Sequence, residues 1–222
     1  MKVVIRAHFA VALMLAAAVS AALAQQSTPA SPDSKPADPV QATKPAAPAT
    51  PAAPQQVQVF TSMGNFTIEL NTERAPLTVA NFMRYVDSGH YTNTIFHRVV
   101  ANFVIQGGGF DSNGKAIPAP EKVVNESGNG LTNQRGTVGM ARASEPHGGD
   151  AQFYVNLYDN EALDPNKTRW GYAVFGKVVQ GMEVADQISL VPTGAKGPFK
   201  ENAPLKPVII EKIDRVAAPA GT

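Results

Sequence analysis

The chain has 222 residues, 44% of them hydrophobic and 17% charged, with nineteen basic against eighteen acidic side chains and a formal charge of +1. That length accommodates one ordinary domain with appendages, and the near-balance of charge gives no support to a nucleic-acid partner. With no cysteine there is no disulfide framework, no thiolate nucleophile and no cysteine-held zinc or iron–sulfur centre.

Lys2 and Arg6 precede an apolar run from Phe9 to Val19, and Ala22-Leu23-Ala24 fits the small-residue pattern of a signal-peptidase site. The run is about half of the roughly 20 residues that a membrane-crossing helix needs. Residues 1–24 therefore read as a cleaved secretory leader, with no stable membrane insertion afterwards. Loss of Lys2 and Arg6 with the leader takes the formal charge from +1 to −1. The expected destination is a bacterial periplasm, with full secretion as the alternative. Residues 25–56 carry Pro29, Pro32, Pro36, Pro39, Pro45, Pro48, Pro51 and Pro54 among Ala, Ser, Thr and Gln. Such a stretch has too little large apolar surface to repay the entropy of ordering, so it reads as a disordered Pro/Ala-rich linker, biased toward polyproline geometry.

A folded domain is expected over residues 57–216, with a flexible tail at 217–222. Val57 to Thr61 and Asn65 to Leu70 read as strands around Ser62-Met63-Gly64. Pro76 suits a first helical turn, Val79, Phe82, Met83 and Val86 recur at helical spacing, and Ser88-Gly89 ends the run. Strand-like segments follow at Thr94 to Val99, Phe103 to Gln106, Thr137 to Ala141, Gln152 to Val155 and Tyr172 to Lys177. A second helix is expected from Met182 to Leu190 and a last strand from Val208 to Val216. Many short strands with two helices point to a closed or nearly closed β-barrel or a sandwich.

Several chemistries fall away on motif context. Gly107-Gly108-Gly109 follows a strand, but no G-x-G-x-x-G opens a helix there and no Gly-Lys-Ser/Thr follows, so a tight turn or close backbone approach is the plainer reading. No G-x-S-x-G elbow is present for a serine hydrolase. His90, His97 and His147 form no metal-binding pattern. Strand alternation over Thr94 to Val99 puts Phe96 and Arg98 on one face and His97 on the other, with His97 in a structural hydrogen-bonding role. His147 reads as a loop residue. Trp170, the only tryptophan, reads as packing beneath the loop into the Tyr172 strand.

Four blocks in register carry a resemblance. Phe96-His97-Arg98-Val99 with Asn102-Phe103-Val104-Ile105-Gln106-Gly107-Gly108-Gly109-Phe110 is the first, and Gly136-Thr137-Val138-Gly139-Met140-Ala141-Arg142 the second. Ala151-Gln152-Phe153-Tyr154-Val155 and Tyr172-Ala173-Val174-Phe175-Gly176-Lys177-Val178 complete the set. Together they resemble the cyclophilin-type peptidyl-prolyl cis–trans isomerases, nearest to the bacterial periplasmic group. The resemblance implies a mostly β fold: a closed eight-stranded antiparallel β-barrel capped by two α-helices, with a groove on its outer face. It implies isomerisation of Xaa-Pro bonds in unfolded or flexible proline-containing polypeptides. A monomer is expected, since no heptad or long exposed apolar helix calls for assembly, and no cofactor or metal, since the isomerisation breaks no bond. Arg98 would be the catalytic side chain, with Gln106 beside the substrate backbone. Phe103, Val104, Tyr154 and Leu163 would line the proline pocket. Ala141, Arg142 and Gln152 would meet the residues before proline, and Tyr172 would stand at the rim.

The chemistry suits these residue types. Resonance sets a barrier of about 18–20 kcal/mol to rotation about the peptide C–N bond, and uncatalysed Xaa-Pro exchange takes roughly tens to hundreds of seconds. No covalent bond need break. The site must bind the twisted amide better than either planar form, and a guanidinium aimed at the lone pair developing on the proline nitrogen does that. This chain departs from common family residues in four places: Ala162 for a tryptophan, Val104 for methionine, Tyr154 for phenylalanine, and Arg142 for asparagine. The first implies weak affinity for the family's cyclic immunosuppressant peptide, and the last implies a preference for an acidic residue before proline. The alternative function is a peptide-binding chaperone or scaffold with little catalysis.

Overall fold

The computed structural model describes residues 55–217. The expected leader, almost all of the Pro/Ala-rich tract and all but the first residue of the tail lie outside the described residues. Gln56, assigned to the tract from composition, opens the first strand instead.

In β1 (Gln56–Thr61) every second side chain is buried: Val57, Val59 and Thr61. β2 (Gly64–Leu70) returns antiparallel to it with Phe66, Ile68 and Leu70 on the same inner face, the period-2 pattern of a sheet with one wet side. α1 (Pro76–Asp87) starts on its proline, which has no N–H to leave unpaired, and buries Val79, Phe82, Met83 and Val86. The chain then forms β3 (Thr94–Val100), β4 (Val104–Asp111), β5 (Thr137–Met140), β6 (Phe153–Asn156) and β7 (Val174–Gln180). Gly181, at φ +78°, precedes α2 (Met182–Ser189), which seats Ala185 and Ile188 in the core. β10 (Ile209–Arg215) closes a barrel in the order β1-β10-β3-β4-β6-β5-β7-β2, every pair antiparallel. The mostly β, eight-stranded closed barrel with two helices is thus the architecture. Phe82 of α1 meets Tyr91, Phe153 and Phe175 at centroid separations of 5.1–5.6 Å, so the helix caps one well-packed aromatic core.

Three local features differ from the sequence-based expectations. β4 continues through Gly107-Gly108-Gly109 rather than ending in a turn there. The glycines serve close approach: a Cβ on Gly107 would lie 3.0 Å from the Ile95 carbonyl oxygen, and one on Gly109 2.6 Å from the Gln152 side chain. Next, a hairpin of β8 (Thr193–Lys196) and β9 (Phe199–Pro204) stands outside the barrel. Its glycines and prolines concealed it from a search for apolar alternation.

The third difference matters most for function. β3 pairs Phe96 with Gly107 but Arg98 with Gln106, so His97 is an extra residue in a β-bulge. The bulge resets the alternation. Phe96 and Val99 enter the core, while Arg98 is turned out onto the neighbouring groove face and does not share the face of Phe96. His97 is buried from the outside, its ring 4.6 Å from Phe110 and 5.6 Å from Phe199 of the β8–β9 hairpin. Its Nδ1 has no hydrogen-bond partner among the described residues, and the ring is held by packing against Phe110 and Phe199.

Burial pushes the His97 pKa down to about 4; the Ile95 backbone pulls the other way and the Arg98 charge lowers it further. The unfolded chain binds a proton near pH 6.5, so a neutral buried His97 stabilises the fold fully above that pH. The contribution is lost as pH falls from 6.5 to 4 and no further below. A shift of that size corresponds to about 3 kcal/mol. In urea melts between pH 7 and 4, wild type should lose about that much more stability than His97→Phe; parallel curves for the two would refute it.

Candidate active site

Strand alternation sorts the side chains of β4 and β6 into two sets. Ile105, Phe153 and Val155 point into the core, whereas Val104 and Tyr154 belong to a second, smaller apolar cluster on the outer face. Ala141, just after β5, joins them, and Phe103, Leu163 and Tyr172 pack against the cluster as half-buried walls. Leu163 comes from the 3-10 turn Glu161–Leu163, and the Tyr172 backbone N–H donates to its carbonyl at 2.8 Å.

A polar edge borders this apolar slot. Arg98 on β3 lies opposite Gln106 on β4, and its guanidinium carbon sits 5.5 Å from the centroid of the Phe103 ring. Gln106 Nε2 donates to Gln152 Oε1 at 3.2 Å. Gln106 is in turn paired with Tyr154 across the β4–β6 ladder. Among the described residues, no carboxylate lies within 4.0 Å of the Arg98 or Arg142 guanidinium, so neither charge is neutralised by an acid. Arg142 lies over the Tyr172 ring at 4.5 Å, and its Nη2 donates to the Trp170 carbonyl at 2.9 Å. All ten residues singled out from the sequence therefore meet on one face.

Two glycines make the slot possible. Gln152 occupies the space a Cβ on Gly109 would need. Gly139 pairs with Tyr154 across β5–β6, and its Cβ would lie 2.2 Å from both Cζ and Oη of that tyrosine. The ring lies flat across the bare glycine backbone.

Beneath the slot runs a hydrogen-bonded network absent from the sequence-based list. Tyr154 Oη donates to Asn133 Oδ1 at 2.6 Å, and Asn133 Nδ2 donates to Asp164 at 2.8 Å, next to Leu163. Asn156 Nδ2 donates to the same Asn133 oxygen at 3.2 Å, and Asn160 Nδ2 donates to Asn156 Oδ1 at 2.8 Å and to the Phe103 carbonyl at 2.9 Å. Burial pushes the Tyr154 phenol well above its ordinary range, which keeps it a donor. Asn133, Asn156 and Asn160 thus tie the tyrosine, the Leu163 turn and the Phe103 segment into one floor. One signal for Asn156 was available: in Phe153-Tyr154-Val155-Asn156 it falls on the Tyr154 face. Nothing local marked Asn133, which comes from a long irregular segment.

Trp170 departs from expectation. It is 48% exposed rather than packed beneath a loop, and meets the His147 ring edge-on at 5.1 Å.

The model of the family described as cyclophilin type peptidyl-prolyl cis-trans isomerase matches residues 56–215. The chain belongs to this family. The cyclophilin is 50% identical over 155 residues to peptidyl-prolyl cis-trans isomerase A of Dickeya dadantii, covering 70% of this chain and 81% of that one. It is 44% identical over 160 residues to peptidyl-prolyl cis-trans isomerase B of Escherichia coli K12, covering 71% and 97%. Among solved structures, a cyclophilin type isomerase of Cryptosporidium parvum crystallised in the presence of the dipeptide Ala-Pro superimposes with a TM-score of 0.61. That match is at 28% identity and covers 74% of this chain and 100% of that one. The protein is a peptidyl-prolyl cis–trans isomerase, and its substrates are proline-containing peptides.

Proposed function

We propose that this cyclophilin isomerises Xaa-Pro bonds of extracytoplasmic proteins as they fold, binding the twisted amide in the groove just described. The observation that carries the reading is Arg98: a guanidinium without a carboxylate partner among the described residues, held beside the Phe103 ring at the edge of an apolar slot. The proline ring enters between Phe103, Val104, Tyr154 and Leu163. As the carbonyl side rotates, the lone pair localises on the proline nitrogen, and the guanidinium donates to it. That hydrogen bond strengthens only toward the transition state, so it accelerates rotation rather than merely tightening binding. Gln106 and Gln152, already paired, offer an amide donor and an acceptor to the peptide backbone. Ala141 and Arg142 meet the residues before proline, and Tyr172 stands at the rim. The chain works alone as a monomer and without a cofactor.

The cellular setting rests on the leader-like residues 1–24 and the proline-rich tract after them, which would hold the domain clear of its attachment or simply precede it. No helix among the described residues is long and apolar enough to cross a membrane.

The test is exchange NMR on a short Ala-Pro peptide with the full chain and its Arg98→Ala variant. Fast exchange in wild type, lost in a folded variant, supports the assignment of Arg98; absence of exchange in wild type overturns the catalytic reading, and binding without exchange leaves a peptide-binding scaffold.

Arg142 bears on the residue before proline. Its cation is stabilised by the Tyr172 ring and by backbone carbonyls, without neutralisation by an acid. A Glu-Pro peptide should be turned over a few-fold better than its Ala-Pro counterpart, since an exposed charge pair contributes about 0.2–1 kcal/mol. Arg142→Ala should bring that ratio to near one, and an unchanged ratio would sink the idea.

A further inference from the structure

Trp170 and His147 form an ordered aromatic shelf that the catalytic groove does not account for. Trp170 is the only tryptophan in the chain, and nearly half of its surface is exposed. Tryptophan is large and costs considerable free energy to leave in water. Here it is also held in place. His147 meets its ring edge-on, with His147 Nδ1 accepting from the Asn125 backbone N–H at 3.1 Å. Asn125 Nδ2 donates to the carbonyls of Pro146 at 3.1 Å and Gly171 at 3.0 Å, which ties the His147 and Trp170 loops to each other. Gly171 abuts Pro165 so closely that a Cβ would lie 2.3 Å from its nitrogen, pinning the turn beside the tryptophan.

The shelf continues the substrate groove. From the proline slot, Tyr154 meets Tyr172 at a centroid distance of 6.1 Å, Tyr172 carries the Arg142 guanidinium, and Arg142 donates to the carbonyl of Trp170. Arg142 also lines a shallow crevice with Val124, Asn125 and Pro146, and Val124 is 55% exposed. Beyond Arg142 the surface therefore presents the exposed faces of Trp170 and Val124, with the Arg142 and Asn125 side chains already paired to backbone carbonyls.

We infer that Trp170, His147 and Val124 form an additional binding subsite for an apolar or aromatic side chain of the client polypeptide, on the N-terminal side of the Xaa-Pro bond. This deepens the proposed function and rests on it for direction, because Arg142 is the residue assigned to the position before proline. An extended peptide advances about 3.3–3.6 Å per residue, and the path from the slot through Tyr172 and Arg142 puts the occupant ahead of the residue that directly precedes proline. Such a side chain is exposed in an unfolded chain and buried in a folded one. The subsite thereby selects chains that have not finished folding.

The test uses the full chain and three peptides sharing one Ala-Pro core: Phe three residues before the proline, Ser at that position, and Phe three residues after the proline. Tryptophan emission reads the shelf directly, because no other tryptophan contributes. The upstream-Phe peptide should bind about 5–10-fold more tightly than the Ser peptide and shift the emission of Trp170. In Trp170→Ala, with affinities read by NMR, the two peptides should bind alike, and Trp170→Phe should restore part of the gap. Equal affinities in wild type with no change in emission would overturn the subsite, as would an advantage confined to the downstream Phe. Exchange at the Ala-Pro bond in the same samples reports separately on isomerisation. Exchange without a Phe advantage removes the subsite and leaves the isomerase; a Phe advantage without exchange keeps the shelf as a peptide-binding surface and removes the catalytic reading.

Discussion

Arg98→Ala is expected to lower kcat/KM for a short Xaa-Pro peptide by about 10²–10³-fold, the usual effect of removing one preorganised donor from a developing charge. Affinity for the ground-state peptide should fall far less, because the interaction strengthens only as the nitrogen lone pair develops. Arg98→Lys should recover little, since an ammonium on a flexible stem cannot present the same planar fork of donors. The fold should survive in both variants: Arg98 sits on the outer side of the β3 bulge, and among the described residues no ion pair within 4.0 Å is lost with it. Exchange NMR beside a urea melt makes the comparison. A folded Arg98→Ala protein that keeps full turnover would remove Arg98 from the mechanism.

Gly139→Ala carries the second large effect, although the change is one methyl group. The added Cβ would meet Cζ and Oη of Tyr154 at 2.2 Å, well inside any real contact. The ring would have to lift from β5 into the proline slot, and its hydroxyl would be drawn away from Asn133, which now accepts it at 2.6 Å. Overpacking a close-fitted site costs about 1–3 kcal/mol, and losing the partner of a buried polar group adds about 1–3 kcal/mol. Stability should fall by several kcal/mol, and the KM for Xaa-Pro peptides should rise because the slot is partly filled. The double variant Gly139→Ala/Tyr154→Phe removes the hydroxyl but keeps the ring, so it should recover only part of the loss. A Gly139→Ala protein with wild-type melting and wild-type KM would show that the ring does not lie where the structure places it.

His97 and Arg98 show where reading a strand by alternation breaks down. Over Thr94 to Val99 the pattern assigns Phe96 and Arg98 to one face, and only the pairing with β4 reveals the extra residue that separates them. A bulge is a property of two strands, so one strand's sequence need not announce it. The three glycines of β4 teach a related lesson. Their local signal leaves a tight turn and a close backbone approach both open, and the neighbours that decide for close approach, the Ile95 carbonyl, Tyr91 and the Gln152 side chain, come from other parts of the chain. Trp170 reads from the sequence as packing beneath the loop into the Tyr172 strand; its partner His147 and the Asn125 staple could be found only once three loops had met.

Local chemistry settled a good deal. Short apolar runs around Ser62-Met63-Gly64 marked β1 and β2, a proline and helical spacing marked α1, and four motif blocks in order carried the family resemblance and brought Arg98, Gln106, Phe103, Val104, Ala141, Arg142, Gln152, Tyr154 and Tyr172 together as a candidate site, with Leu163 placed by the same resemblance. These signals are short-range: each is written within a few residues, where backbone sterics and apolar spacing act. The tertiary structure decided the rest. It set which way Arg98 faces, the asparagine floor that holds Tyr154, the hairpin that buries His97, and the exposed shelf at Trp170. Each depends on groups from separate strands or loops meeting in space, and close packing and hydrogen-bond satisfaction act on that assembled whole.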